Sequence, residues 1–542
     1  MTPVEQEPVF RAHWSKVFRI DRDTIDHDED HVQHVEATVA QQQQLVDPLL
    51  NSDLSVLDTN FPPVTPDEIS KAIKGLKHKA PGPSGITAHA LKHLPNNMLD
   101  NLATLFNHSL ALGHFPSCYK KATMIFIPKA NPQNRTTETL ASNHRPISLT
   151  EVPGKILDSL LNQRFTNHLN INDLHNPDQH GFRAGRGVHT ALACFHETIS
   201  RAHHDNNKKR ITGVVLRDVS KAFDKVWTDG LKYKLLQTNM HPQLLRCLAS
   251  YITDRQANIR IGSHHGPIFH LESGVPQGGC LSPSLFNFYT KDLPRPVVDG
   301  TEVTNIIYAD DVTQIVSTIG TPSYLHKKIE KASKQLNNFE RLWLIKTNTS
   351  KFKIVTKTNQ NIPPPIIDNT PIQPCTQGKC LGLTFSMDPR SLGYGHHITM
   401  KKASCLRTLM KLNRFRNLSL RRKRHLYLAL IRPILIYPAI PLHIERNSHL
   451  RKLQVIQNKA LRFIVQPGTH HITAEELHRR ADLEPLNKIM HCHANKTWST
   501  INLGIPDLYA RLSQPYPHRT QTLLSSRRSA EGTAPEPIYT YY

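Results

Sequence analysis

The alternation of apolar and polar positions divides the chain into a weakly patterned beginning, a dense middle and an unpatterned end. Residues 1–60 are weakly periodic and Gln-rich at Gln41 to Gln44, so they predict a peripheral, partly disordered lead-in. Phe61-Pro62-Pro63 then interrupts the chain. Thr65-Pro66-Asp67-Glu68 opens a helix, with Thr65 as N-cap and Pro66 at the first helical position. Val214-Val215-Leu216 is an apolar, β-rich run leading into Arg217-Asp218, the pattern of a buried strand that delivers a carboxylate at its end. Residues 258–271 alternate around Gly262-Ser263-His264-His265-Gly266, which predicts a hairpin. Residues 303–308 and 312–317 are apolar strands separated only by Ala309-Asp310-Asp311, a second hairpin. Leu325, Ile329, Ala332, Leu336, Phe339 and Trp343 recur at steps of three and four, an amphipathic helix packed under a sheet. Strands and helices are mixed without βαβ regularity, so the fold class is α+β. From about Ser513 the chain is rich in Pro, Ser, Thr and Tyr and predicts disorder.

Composition narrows the function. The length of 542 residues suggests roughly two to four structural units. No uninterrupted apolar run reaches the ~18 residues of a membrane span, and the N-terminus lacks the pattern of a secretory signal. Eight scattered cysteines without a C-x-x-C pair predict a reduced, intracellular protein. His491-Cys492-His493 has no second ligand pair in register and reads as part of a helix rather than a metal site. The charge is uneven: 67 Lys and Arg against 44 Asp and Glu give +23. Residues 1–60 carry a net −8, so the remainder carries +31. A surface that basic has nucleic acid as its default partner, and no membrane is needed. Residues 401–440 hold eleven Lys and Arg and no acid, with Leu406, Leu409, Leu412 and Phe415 on other faces. They predict basic amphipathic helices, with Arg421, Arg422, Lys423 and Arg424 as the densest nucleic-acid-binding cluster.

Phosphoryl transfer onto a hydroxyl in this setting needs oxygen ligands for divalent metal, converging from rigid elements. A strand ending at Asp218 and a tight hairpin carrying Asp310 and Asp311 would supply them. Adjacent acids at a hairpin tip also suit a plain turn, so the tripeptide alone decides nothing.

The motif order decides more. DVSKAFDKVW (218–227), SGVPQGGCLSP (273–283), YADD (308–311) and CLGLTF (380–385) resemble the palm blocks of reverse transcriptases. KAPGPSGI (79–86), FIPK (126–129), HRPISL (144–149) and HGFRAGRGVHTAL (180–192) resemble the upstream segments of the non-LTR retrotransposon enzymes. With IRPILIYPAIP and LQVIQNKALRFI (453–464), the resemblance is nearest to the jockey-like group. It implies a right-hand polymerase with fingers, a palm built on a ferredoxin-like βαββαβ core, and a helical thumb. The expected division is a lead-in at 1–60, fingers at 61–212, palm at 213–385, thumb at 386–480 and a C-terminal extension at 481–542. The implied activity is RNA-directed DNA synthesis from an RNA template, a DNA primer and deoxynucleoside triphosphates. The alternative is a catalytically silent RNA-binding relic.

The resemblance also assigns roles. Asp218, Asp310 and Asp311 are the implied catalytic ligands of Mg²⁺, with Mn²⁺ as an alternative. Phe223 falls at the position of a steric gate under the sugar, and Tyr308 precedes the hairpin acids. Gln277 and Gly278 lie in the loop that holds template base and nucleotide, and Ser282-Pro283 is expected to start the helix after it. Lys129 and Arg145 are the implied triphosphate cations, and Lys351 resembles a later palm lysine. Asp224 reads as a structural hydrogen-bond partner. Several positions depart from the family: Ser84 stands where an aspartate is usual, Arg217 where an apolar residue is usual, and His144 where a tyrosine is common. Lys129 is followed by Ala130-Asn131-Pro132 instead of a second lysine. Related elements prime from nicked chromosomal DNA, which implies a nuclear site of action, with the cytoplasm as alternative. No endonuclease segment is read before residue 61, so a nick is expected from elsewhere.

Overall fold

The computed structural model describes residues 2–20, 22–42, 61–129, 140–204, 210–219, 221–356, 362–388, 391–439, 447–466, 468, 472–505 and 510. The longer helices, in chain order, are α1 (Pro3–Val17), α2 (Glu29–Gln41), α3 (Pro66–Gly75), α4 (Asn96–Ala111), α5 (Val152–Ile171), α6 (Val188–His204), α7 (Thr228–Leu236), α8 (Pro242–Ile252), α9 (Leu281–Tyr289), α10 (Pro322–Leu342), α11 (Gly395–Leu412), α12 (Leu420–Leu430), α13 (Asn447–Val465), α14 (Ala474–Ala481) and α15 (Leu486–Gly504). The principal strands are β1 (Lys121–Pro128), β2 (His144–Thr150), β3 (Arg210–Asp218), β4 (Arg255–Ile261), β5 (His264–His265), β6 (Phe269–Leu271), β7 (Thr301–Tyr308), β8 (Asp311–Ile319) and β9 (Lys353–Val355). The mixture is α+β, as the pattern predicts.

Local chemistry sets several boundaries. Thr65 caps α3 by accepting the Glu68 amide (3.3 Å) while the Glu68 carboxylate accepts the Thr65 amide (3.0 Å). Thr2 and Glu5 form the same box at the start of α1. The lead-in is therefore more ordered than its weak periodicity suggests. Spacings of four and three place Phe10, Trp14 and Val17 on one buried face, and α2 buries Val32, Val35 and Val39. Residues 43–60 and the tail expected to be disordered lie outside the described residues, apart from residue 510 just before it.

The chain forms two compact units. The first comprises Met1–Pro177, Val219–Pro294 and Leu336–Asn348. Its sheet has the order β2-β1-β4-β5, with β6 also paired to β4. β1 runs antiparallel to β2 and parallel to β4. Helix α1 and the residue after it lay Phe10, Trp14, Val17 and Phe18 on this sheet, against Met124, Ala257, Ile259 and Leu271. The predicted hairpin over 258–271 forms from β4, β5 and β6, turning at Gly262-Ser263. A larger helical core gathers Phe106, Phe165, Trp227, Phe288 and their neighbours.

The second unit comprises Asp178–Asp218, Arg295–Gln335 and Thr349–Tyr542. Its antiparallel sheet has the order β7-β8-β3-β9. That is the order of a ferredoxin-like βαββαβ core. β3 is central, and both its faces are covered. Val214 packs with Phe195 and Ile199 of α6, and Val215 with Leu325 and Ile329 of α10. Alternating side chains on opposite faces, both buried, explain why this strand reads as a continuous apolar run. The predicted amphipathic helix forms as α10, ending one residue short of Trp343. Its early positions serve this core and its later ones, Phe339 and Trp343, serve the first unit's core. A helical bundle of α11 to α14, joined by Leu486 and Met490 of α15, completes the unit. Among the described residues no helix is long and apolar enough to cross a membrane.

Candidate active site

The second unit carries the three candidate metal ligands. The register of β3 and β8 places Asp218 directly opposite Asp311, and β7 and β8 close with Tyr308 opposite Asp311. Only Ala309 and Asp310 remain for the turn, and Ala309 takes a left-handed φ of 55°. A non-glycine residue there must be held. Gln179, buried at 3% exposure, holds it. Its Oε1 accepts the Ala309 amide (2.9 Å) and the Gly181 amide (2.8 Å), and its Nε2 donates to the Ala309 carbonyl (3.3 Å). A side chain on Gly181 would lie 2.5 Å from the Ala309 nitrogen, so glycine is required at that approach. Gln179 was not among the predicted site residues. It stands one position before the HGFRAGRG block, and its partner is 130 residues away.

Electrostatics sharpen the picture. Partial desolvation, then the negative charges of Asp310 and Asp218, push the Asp311 carboxyl up to about 6, although the residue reaches solvent. Lys351 donates to Asp218 Oδ2 at 2.6 Å. With side chains 51% and 38% exposed, such an ion pair contributes about 0–1 kcal/mol and can yield to another cation. No group of three or more His, Cys, Asp or Glu among the described residues is gathered around a metal position. The donor set is nevertheless oxygen-only and short of positive charge, which suits a divalent ion completed by waters and phosphate. Arg217, unexpected on a buried strand, is 4% exposed and places its guanidinium 4.8 Å from the centre of the Phe352 ring.

The first unit carries the candidate nucleotide ligands. Arg145 lies on β2 opposite Ile127 of β1, exposed, and Lys129 follows the end of β1. The Lys129 ammonium donates to the Ser142 carbonyl at 2.7 Å. Phe223 is half-buried and stacks on Phe286, ring centres 4.8 Å apart. It is thus both core aromatic and partly exposed surface. The Gln277 amide is already engaged: Nε2 donates to Asp224 Oδ1 at 2.7 Å. Burial pushes the Asp224 carboxyl up to about 7, against the pull of Gln277 and Lys221. Asp224 is the hydrogen-bond partner expected of it. Gly278 has φ 125°, and the Ser148 amide donates to the Gln277 carbonyl (3.0 Å), tying this loop to β2.

Two expectations need correction. Ser282-Pro283 does not start the helix; α9 begins at Leu281, and Ser282 is buried inside it. The cap comes from Asp158 on α5, whose carboxylate accepts the Cys280 amide (2.7 Å) and the Leu281 amide (2.9 Å). Nor do Arg421, Arg422, Lys423 and Arg424 form one exposed row. Arg421 and Arg422 are exposed. Lys423 is 4% exposed with its ammonium 6.0 Å from the Phe463 ring centre, and Arg424 pairs with Asp482 at 2.9 Å. Successive helical positions turn by about 100°, so four adjacent cations cannot share a face. Ser84, where an aspartate was expected, binds Glu151 through its amide (2.8 Å) and its hydroxyl. His491 lies on α15 against Asn495.

Residues 127–385 match the family described as reverse transcriptase (RNA-dependent DNA polymerase). The chain is 28% identical over 475 residues to the probable RNA-directed DNA polymerase from transposon BS of Drosophila melanogaster, covering 85% of this chain and 51% of that protein. It is 30% identical over 417 residues to the RNA-directed DNA polymerase from mobile element jockey of Drosophila funebris, covering 74% and 44%. The chain thus spans about half the length of the curated relatives it matches. Among solved structures, telomerase from Candida tropicalis with a TWJ fragment of telomeric RNA aligns at 12% identity and a TM-score of 0.37, covering 77% of this chain and 68% of that one. Residues 127–385 thus carry a reverse transcriptase domain, and the chain is similar over most of its length to RNA-directed DNA polymerases of mobile elements.

Proposed function

We propose that this chain is an RNA-directed DNA polymerase of a non-LTR mobile element, extending a DNA primer on an RNA template. The observation that carries it is the cross-strand pairing of Asp218 with Asp311 beside a turn that presents Asp310, where burial and then like charge already raise one carboxyl. Asp218, Asp310 and Asp311 would hold Mg²⁺, or Mn²⁺ in its place. The metal would supply a lowered pKa at the primer 3′-hydroxyl and charge neutralisation on the departing pyrophosphate. The protein's own residues do the rest. Gln179 keeps the Asp310 turn in shape, and Lys351 orients the Asp218 carboxylate. Lys129 and Arg145 bind triphosphate oxygens, Arg by its fork and Lys as a point charge. The exposed part of Phe223, braced by Phe286, excludes a 2′-hydroxyl. Gln277 and Gly278 offer backbone and amide edges to the base pair, and Tyr308 borders the primer end. The fingers, palm and thumb would follow the boundaries given above. Arg421 and Arg422 grip the duplex, and the nucleus is the place of action.

The test is primer extension on an RNA template with Mg²⁺. Asp310→Asn should retain template binding and lose extension by at least a hundredfold, since a neutral amide is a poor ligand for a catalytic dication. Extension within tenfold of the parent would remove the two-metal assignment. A parent protein that binds RNA but extends nothing would make the chain a silent relic.

A further inference from the structure

Helix α1 meets each segment of the first unit that carries a proposed nucleotide ligand. Phe10 packs on Phe126 (4.7 Å between ring centres) and on His144 (5.2 Å), the neighbour of Arg145. The Phe18 carbonyl, just past the helix, accepts the amides of Glu272 (3.1 Å) and Ser273 (3.0 Å), which lead into the Gln277 loop. The Lys225 ammonium donates to the carbonyls of Lys16 (3.4 Å) and Arg19. Between these anchors the Lys221 ammonium donates to His13 Nε2 at 3.2 Å and lies 5.3 Å from the centre of the Trp14 ring. Lys221 itself takes a left-handed φ of 52°. Such backbone is costly for lysine and persists only where its surroundings enforce it.

The charge balance here is unusual. Burial, with the positive charges of Lys221 and Lys129, holds the His13 imidazole down to about 4, so it is neutral and can accept a hydrogen bond. Burial pushes the Lys221 amine down to about 8, with Lys225 and Lys129 acting the same way and Asp224 opposing them. Asp224 itself tends to keep its proton. The Trp14 indole N–H, buried beside Lys221, has no partner among the described residues. Converging basic groups with one reluctant carboxyl as counter-charge are costly unless an anion joins them.

We propose that His13 and Lys221, together with Lys129, seat the triphosphate of the incoming nucleotide, so that the N-terminal helix is a working part of the nucleotide site. The proposal rests on the polymerase function above and adds α1 to it. His13 is a positioning residue. By accepting one N–H of Lys221 it orients the ammonium and leaves the other two N–H groups for phosphate oxygens. The aromatic face of Trp14 supports the same cation without neutralising it.

The test uses the full chain and two readouts: binding of inorganic tripolyphosphate by calorimetry, and KM for deoxynucleotide in primer extension. Lys221→Met keeps the apolar stem against Trp14 and should weaken tripolyphosphate binding about tenfold or more, the worth of one charge-assisted hydrogen bond. KM for deoxynucleotide should rise by a similar factor while template–primer affinity holds. His13→Ala should lose several-fold, and His13→Gln, whose amide oxygen can still accept from Lys221, should recover most of it. A purely structural His13 would not show that rescue in KM. Equal tripolyphosphate affinity in parent, Lys221→Met and His13→Ala, or none in the parent, would overturn the proposal. If the binding differences appear and no primer is extended, the triphosphate seat stands and the polymerase function falls.

Discussion

A single buried carboxyl can set the pH response of this protein. Asp224 is 2% exposed, accepts one hydrogen bond from Gln277, and is pushed by burial up to about 7. Unfolded, it titrates near 3.8. The folded state therefore holds this proton more tightly than the unfolded state does. Its contribution to stability is fully present below about pH 4 and is lost as pH rises through about 7. Asp224→Asn is isosteric and keeps an oxygen for Gln277 to donate to. The expected outcome is a urea midpoint that falls less between pH 4 and pH 8 than the parent's, with the two proteins converging below about pH 4. The full shift corresponds to about 4 kcal/mol at most, so even a partial effect is measurable. Parallel declines in parent and variant would show that Asp224 does not carry this dependence. Lys221 and Lys129 face the same carboxyl and lower it, so they reduce the effect without reversing its sign.

At the scale of elements, helix α9 shows what a sequence can and cannot display. Ser282-Pro283 has the local composition of a helix start, yet the orphan amides of Cys280 and Leu281 are taken by Asp158, on another helix more than a hundred residues earlier. A cap of that kind leaves no local signature. Asp158→Ala should lower stability by about 2 kcal/mol, because the buried Leu281 amide, the part-buried Cys280 amide and the nearby Tyr251 hydroxyl lose a charged partner. Ser282→Ala loses only a 3.3 Å contact to Tyr251 and should cost less than half as much. Thermal or chemical unfolding of the two variants checks the order; the reverse order would restore Ser282 as the cap. The same distinction explains the rest of the fold. The two hairpins, β3 with its terminal aspartate, and α10 were legible because period and turn residues are local. The support of the Asp310 turn by Gln179, and the pairing of His13 with Lys221, link positions 130 and 208 residues apart, so only the folded chain reveals them. Helix α1 was missed because its three buried apolar residues, Phe10, Trp14 and Val17, are diluted by Glu7, Pro8, His13 and Lys16, even though Thr2-Pro3 is the same Thr-Pro start that gave α3 away.

For the whole molecule, a net charge of +23 guarantees attraction to polyanions but not which cations make it. Eleven basic residues and no acid between 401 and 440 predicted basic amphipathic helices with a dense nucleic-acid-binding cluster. The structure thins it. Lys401 donates to the Ile434 carbonyl and lies 5.4 Å from the Tyr437 ring centre, Lys423 is buried against Phe463, and Arg424 is paired with Asp482. Burial lowers the Lys401 amine to about 8 and pushes the Lys423 amine down as well, so neither is poised for phosphate. Arg421 and Arg422 remain exposed. Each phosphate neutralised releases condensed counterions, which gives a log–log salt slope of about −0.9 per contact on B-form duplex. Removing Arg421 and Arg422 together should therefore make the slope shallower by up to about two contacts, alike on all sequences. Removing Lys423 and Arg424 should leave the slope nearly unchanged and lower stability instead, through lost packing on Phe463 and a lost ion pair. The number of nucleotides added per binding event should fall for the first pair and hold for the second in the folded fraction. Salt titrations of duplex binding on parent and both double variants separate these outcomes. If the Arg421 and Arg422 variant keeps the parental slope and product length, the cluster does not grip duplex, and an import signal becomes its better explanation. If the second pair changes the slope as much as the first, the buried lysine and paired arginine must rearrange when nucleic acid binds.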